Sequence, residues 1–139
     1  MSNVNKLIGI PFKNGGRDLD GCDCMGLSIL AHKELGKIIP GFKADSTDSI
    51  LINSIFENQE TTGRWEKIEF PEAPCIVVMG LHPEIKNMIT HVGTYIGSGN
   101  VVHTLEDSTS SVFKITHPFF KNKIKGYYKY AEDTINGNT

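Results

Sequence analysis

Apolar residues recur at helical spacing only in the first part of the chain and as short alternating or continuous runs in the last half. That change of period is the first guide to the fold. Leu27, Leu30, Ala31 and Leu35 fall three or four positions apart, which predicts a helix of about three turns opening at Cys24. Gly36 supplies a left-handed stop, with Pro40 beyond it. A second helix is predicted near residues 48–57, capped by Ser46 or Thr47, with Ile50, Leu51, Ile55 and Phe56 on one face. Beyond Arg64 the pattern gives β runs at 75–79, 90–96, 101–105, 111–115 and 125–130. Tyr127, Tyr128 and Tyr130 read as residues of the last run. Gly97-Ser98-Gly99-Asn100 joins two runs tightly enough for an antiparallel hairpin. Helices first and strands last give an α+β layout, N-terminal helices packed on a C-terminal antiparallel sheet of about five strands.

The polar gaps carry information too. Residues 4–8 form a short helical or extended lead that ends at Pro11, because a proline pushes its predecessor out of the helical region. Asn14-Gly15-Gly16-Arg17-Asp18-Leu19-Asp20-Gly21 is dense in turn residues and predicts a loop. Its Gly15-Gly16-Arg17 lacks the glycine spacing of phosphate-binding loops and reads as a turn.

Size and charge narrow the field. A chain of 139 residues holds one domain, taken as residues 1–132 with a polar tail at 133–139. Fourteen Lys plus Arg against sixteen Asp plus Glu leave a net charge of -2 without a basic block, so no nucleic-acid or membrane-surface partner is expected. No run reaches the ~18 apolar residues of a spanning helix, and the first residues are too short an apolar run for a signal peptide. Synthesis in the cytoplasm is therefore expected. Three cysteines are an odd number, and Cys22 and Cys24 lie too close for a stapled scaffold, so a free thiol must be explained.

Gly21-Cys22-Asp23-Cys24-Met25-Gly26-Leu27 sets the thiol of Cys24 at the junction of a glycine-rich loop and a helix N-terminus. An ordinary thiol with a pKa of about 8.5 is only about 3% thiolate at neutral pH, and lowering it two units takes about 2.7 kcal/mol. A helix terminus gives typically about 0.3–1 kcal/mol and up to about 2 in favourable partly buried sites, so a second positive group, usually an imidazolium, is needed. Of five histidines, His32 lies within the predicted helix and is expected to face solvent, while His82 and His117 precede prolines in loops. His91 and His103 both lie on the predicted hairpin. A register centred near Gly97 sets them opposite each other, and a turn centred on Ser98 and Gly99 does not. If adjacent, His103 could hold the ring of His91 as the orienting member of a triad does.

Other readings compete. Cys22, Cys24, His91 and His103 have zinc-compatible donors, but a one-residue gap departs from the usual ligand spacing. No metal and no cofactor is expected. Cys22 and Cys75 read as core thiols, and Asp23 as a cap or loop support.

Three spaced blocks resemble the NlpC/P60 cysteine peptidases, papain-like enzymes that cut peptidoglycan stem peptides. Gly9-Ile10-Pro11-Phe12 through Gly15-Gly16, then Asp23-Cys24-Met25-Gly26-Leu27, is similar to the family's approach loop and nucleophile block. His91-Val92-Gly93-Thr94-Tyr95-Ile96-Gly97 is similar to its base block, and His103 falls at its orienting polar residue. The resemblance implies Cys24 as nucleophile, His91 as base and His103 as orienter, with the Cys24 N–H at the oxyanion. It also implies Phe12, Asp23 and Met25 near substrate, although many members carry a tyrosine where Phe12 stands and a serine or aromatic residue where Met25 stands. Gly15-Gly16-Arg17-Asp18, Glu34-Leu35-Gly36, the Trp65 segment and Ile124-Lys125-Gly126-Tyr127-Tyr128 resemble stand-alone bacteriophage tail members. These features imply a hydrolase of the bond between D-γ-glutamate and the following diamino acid, carried to the wall in a virion or tail-like particle by tail or tail-tip proteins. A catalytically weak tail structural protein with the same fold is the alternative.

Overall fold

A computed structural model describes residues 4–39, 65–81 and 91–131. The predicted helix near 48–57, His82 and the tail at 133–139 lie outside the described residues. A short 3-10 turn at Val4–Leu7 leads into a two-stranded ribbon of β1 (Arg17–Asp18) and β2 (Gly21–Cys22), then helix α1 (Cys24–Glu34). A six-stranded antiparallel sheet follows, built from β3 (Trp65–Ile68), β4 (Cys75–Met79), β5 (His91–Gly97), β6 (Asn100–His103), β7 (Ser111–Lys114) and β8 (Ile124–Tyr130). Its order is β3-β8-β4-β5-β6-β7, so the last strand in sequence inserts between the first two. The α+β layout is as the apolar pattern predicts, with one strand more than expected. Trp65-Glu66-Lys67-Ile68 has too few apolar residues to announce itself, and pairing with β8 makes it a strand.

Helix α1 starts where the chain satisfies its free N–H groups. Asp23 stands at the N-cap in an extended conformation and accepts from the Gly26 N–H. The helix ends at Leu35, and Gly36 takes a φ of 90°, which favours a residue without Cβ.

The sheet is covered on both faces, which is why β4 reads as the unbroken run Cys-Ile-Val-Val-Met and is buried along its whole length. On one face Ile76, Val78, Val92 and Tyr128 pack with Trp65, Ile39 and the helix residues Cys24 and Met25. Beside this, Leu27 and Ala31 of α1 pack with Leu7, Ile10, Cys22 and Val102. On the other face Val77, Met79 and Val101 pack under Phe120, flanked by Tyr95, Phe113, Phe119 and Tyr127. Each fully buried aliphatic side chain contributes about 1.5–3 kcal/mol, so the two layers rather than local strand preference hold the sheet together.

The β5–β6 hairpin settles the register that the sequence left open. Ser98 and Gly99 occupy a two-residue turn with φ of 56° and 78°, flanked by the pair Gly97↔Asn100. A bulge between Tyr95 and Gly97 shifts the ladder to Tyr95↔Val101 and Thr94↔Val102. Continuing that ladder sets His103 across from Gly93, so His91 is its diagonal neighbour on the same face.

Candidate active site

Residues 15–26 fold into a tight polar knot around one carboxylate. Asp23, with no exposed surface, accepts from the Gly15 N–H at 2.8 Å, the Gly26 N–H at 2.8 Å and the Arg17 guanidinium at 2.7 Å. A Cβ on Gly26 would collide with the Gly16 carbonyl oxygen, and one on Gly16 would collide with the Gly21 carbonyl. Glycine is therefore needed at both positions for the loop to lie against the first helical turn, and this contact fixes where Cys24 begins α1. Asp23 is a cap and loop support, as its position suggested. Its carboxylate is fully engaged and buried, which removes it from direct substrate contact. The turn chemistry of the loop does not announce the role of Arg17; its signal in the sequence is a cation six residues before a capping acid.

Cys24 is 4% exposed, under the sheet face carrying Val92. Burial pushes its thiol up to about 12, against the pull of the N–H groups of Val92, Met25 and Cys24 itself, which donate toward the sulfur. The Val92 contact matters most for geometry. The β5–β6 pairs stop at Thr94↔Val102, and beyond that last pair the Val92 amide turns to the sulfur. This contact sets the thiol at the end of β5, against the residue that follows His91.

His91 is the first residue of β5 and projects to the opposite sheet face from Val92. Its Nε2 meets Nδ1 of His103 at 3.4 Å, with ring centroids 5.6 Å apart and the planes at 74°. Both histidines are buried, at 4% and 3% exposure. The pair forms although the two residues are not directly opposite, and Gly93 between them is required by its neighbours, since a Cβ there would press on the side chains of Val101 and Met79. His103 is walled by Phe113, Phe119 and Phe120 at centroid distances of 4.8, 5.1 and 5.6 Å. Burial, with His103 as a neighbour, pushes His91 down to about 3. Burial, with His117 as a neighbour, pushes His103 down to about 4. Both rings are thus neutral near pH 7 and the thiol is protonated. The expected help from a charged imidazolium is replaced here by an uncharged pair.

This arrangement has a definite proton order. With Nε2 of His91 engaged by His103, Nδ1 is the ring nitrogen left to accept a proton. A His91 basic at Nδ1 carries its hydrogen on Nε2 and donates it to Nδ1 of His103, whose own hydrogen then sits on Nε2. A neutral imidazole held this way can take up a proton at Nδ1 while its Nε2 hydrogen stays on the partner ring.

The other predicted residues fall elsewhere. Met25 has no exposed surface and packs in the core with Ile76 and Val78, so it is not a substrate contact. Phe12 is half-buried; it bridges to Cys22 and its N–H donates to the Ser108 carbonyl, which places it between the helix start and the β6–β7 loop. His32 does not face solvent. It has no exposed surface, its Nδ1 donates to the Ser28 carbonyl at 2.8 Å, and Trp65 covers it edge-on at 6.2 Å. The helix is buried on this side because the unrecognised β3 brings Trp65 over it. His117 is exposed and stacks on Phe113 at 4.2 Å. Cys22 packs with Leu7, Ile10 and Leu27, in a different cluster from Cys24, and among the described residues no group of three or more His, Cys, Asp or Glu is placed to hold a metal ion. Cys75 is a buried free thiol in β4, and burial pushes it up to about 11.

A helix that presents a buried cysteine at its capped N-terminus to an antiparallel sheet, with a histidine pair on the adjoining strands, is the plan of a papain-like domain. The chain belongs to the NlpC/P60 family, whose model matches residues 9–129. The fold is similar to the NlpC/p60 domain of the peptidoglycan hydrolase SagA, at 21% identity and a TM-score of 0.56, covering 91% of this chain and 92% of that one. It is also similar to an NlpC/P60 family protein from Bacillus cereus, at 22% identity and a TM-score of 0.60, covering 92% of this chain and 40% of that one. NlpC2 from Trichomonas vaginalis matches at 16% identity and a TM-score of 0.61, over 91% and 45% of the two chains. Compared with curated protein sequences, the chain finds no match. No helix among the described residues is long and apolar enough to cross a membrane.

Proposed function

We propose that the protein is a cysteine endopeptidase that hydrolyses an amide in the peptidoglycan stem, at the bond between D-γ-glutamate and the following diamino acid. The observation that carries this reading is the seating of Cys24 against β5 at Val92, one residue along the strand from His91, whose ring meets that of His103. In the proposed reaction Cys24 Sγ attacks the scissile carbonyl while His91 takes its proton, and the Cys24 N–H helps hold the oxyanion. The tetrahedral intermediate expels the leaving amine, which takes the proton from His91, and leaves an acyl enzyme on Cys24. Water then hydrolyses the thioester, with His91 again as base. Family membership and the hydrolase named for the SagA domain support the wall as target. The blocks similar to phage tail members support a virion or tail-like particle as carrier.

Incubation with purified sacculi, or with a γ-D-glutamyl stem peptide, tests the reading. The native chain is expected to release a new amine, and Cys24→Ala to release none; product undiminished in that variant would sink the claim. A second reading, a tail structural protein of low activity, is favoured by Phe12, which supplies no hydroxyl, and by the 4% exposure of Cys24. A thiol-reactive probe separates the two: labelling of Cys24 that is lost in His91→Ala supports the enzyme, and labelling no faster than that of a free thiol supports the structural protein.

A further inference from the structure

Behind His103, on the side away from His91, lies an open pit of about 140 Å³. Its lining is His103, Thr104 and Leu105 from the end of β6, Ser108 and Thr109 from the following loop, Ser111 and Phe113 from β7, and Phe119. Two buried polar atoms of this lining, His103 Nε2 and Thr104 Oγ1, have no hydrogen-bond partner among the described residues. Their residues are 3% and 1% exposed. An unpaired buried polar group costs about 1–3 kcal/mol, and two beside one cavity point to a ligand that completes them.

We propose that this pit is a subsite for a neutral amide of the substrate on the leaving-group side, its carbonyl accepting from His103 Nε2 and its N–H donating to Thr104 Oγ1. The inference rests on the hydrolase reading for the identity of the amide as part of a stem peptide and for the side of the scissile bond on which it lies; the binding of a neutral amide itself does not. Three observations support it.

The first is the proton order. A His91 that is basic at Nδ1 forces the hydrogen of His103 onto Nε2, the unpartnered nitrogen of a residue that lines the pit, so an acceptor there locks the tautomer that His91 needs. The second is direction. His91 returns its proton to the leaving amine, so the leaving chain runs on the His91 side of Cys24, and His103 lies beyond His91. The third is chemistry. The described residues lining the pit bring hydroxyls, one imidazole, Leu105 and two phenyl rings, with no cation to balance a carboxylate, so a neutral planar group fits best.

The pit is also built in advance. Its loop turns through Asp107 at a φ of 62°, closed by Ser108 N–H on the Leu105 carbonyl. The Phe12 N–H holds Ser108, and the Ile10 N–H donates to Ser110 Oγ, which donates in turn to the Leu7 carbonyl. The segment leading to the helix start thus braces the wall of the pit, and pre-formed sites lose less in ordering.

The experiment uses the full chain as Cys24→Ala, so that binding is read without turnover, with histidine labelled by nitrogen-15 and N-methylacetamide as the probe. The expected result is a saturable shift of His103 Nε2 within the protonated range, together with the amides of Thr104 and Ser111. Ser111→Leu, which fills the pit, should abolish saturation, and Thr104→Val, which keeps the shape and drops the hydroxyl, should weaken it about 3- to 10-fold. No saturation in the parent, or equal saturation in Ser111→Leu or Thr104→Val, overturns the subsite, and tighter binding of acetate overturns the neutral-amide assignment. Failure to cut sacculi with the native chain would instead remove the stem-peptide identity and leave the binding result standing.

Discussion

The two halves of the candidate site are built on opposite plans. Around Cys24 the chain closes a local knot within residues 15–26, in which one buried carboxylate takes three donors and two glycines allow the loop to touch the helix. Around His91 and His103 two rings on paired strands meet through one long contact of 3.4 Å, the walls are phenyl rings, and one ring nitrogen has no partner among the described residues. The first half is saturated with hydrogen bonds and therefore fixed. The second is short of them, so the environment acts through burial, holding both rings neutral. A nucleophile needs placement, whereas a base needs a proton affinity that a bound group can still change, and this division fits both needs.

The largest expected effect breaks the saturated half. Asp23→Ala removes the acceptor of the Gly15 and Gly26 N–H groups and the carboxylate partner of Arg17, and should cost about 2–4 kcal/mol in urea unfolding. Asp23→Asn keeps the cap acceptor and should cost less. A loss under about 1 kcal/mol for Asp23→Ala would mean the knot does not set the helix start.

Breaking the other half should spare the fold more than the chemistry. In the proposed enzyme His103→Asn is expected to lower kcat about 100-fold, below the ~10⁴-fold of a triad whose orienter is charged, because a neutral ring only aligns His91. His103→Asn with unchanged kcat would remove the relay from the mechanism.

The smallest effect is the share of a single ring in the pH dependence of stability. The unfolded chain takes up protons on histidine below about pH 6.5. In the folded chain His91 stays neutral down to about 3, and His103 and His32 down to about 4. Between pH 6.5 and 4 the unfolded state binds more protons, so stability falls as the pH falls, by at most about 1.4 kcal/mol per pH unit for each ring. Denaturant midpoints from pH 7 to pH 5 measure the slope. His32→Leu, which removes one such ring, should flatten it, and a flat profile in the parent would contradict the neutral burial of the rings.

Much of this was legible along the chain, because the relevant causes are local. The helical spacing from Leu27 to Leu35, the cap at Asp23, the stop at Gly36 and the continuous run of β4 each follow from a few adjacent residues, and each lies where the pattern puts it. The three residue blocks also carried family membership. What escaped depends on contacts distant in sequence. Trp65-Glu66-Lys67-Ile68 is a strand only because β8 lies beside it, and that strand in turn buries His32, which its own helix would leave to solvent. The meeting of His91 with His103 rests on a one-residue bulge in β5, and hairpin spacing alone could not choose that register. The neutral state of the rings and thiol was likewise closed to the sequence, since burial is a property of the packed layers. Sequence alone therefore determined the family and the capped turn on which Cys24 stands, because capping and glycine contact act over a few residues. Tertiary structure decided how the imidazoles meet and how they are protonated, because register and desolvation are set by strands and rings far apart in the chain.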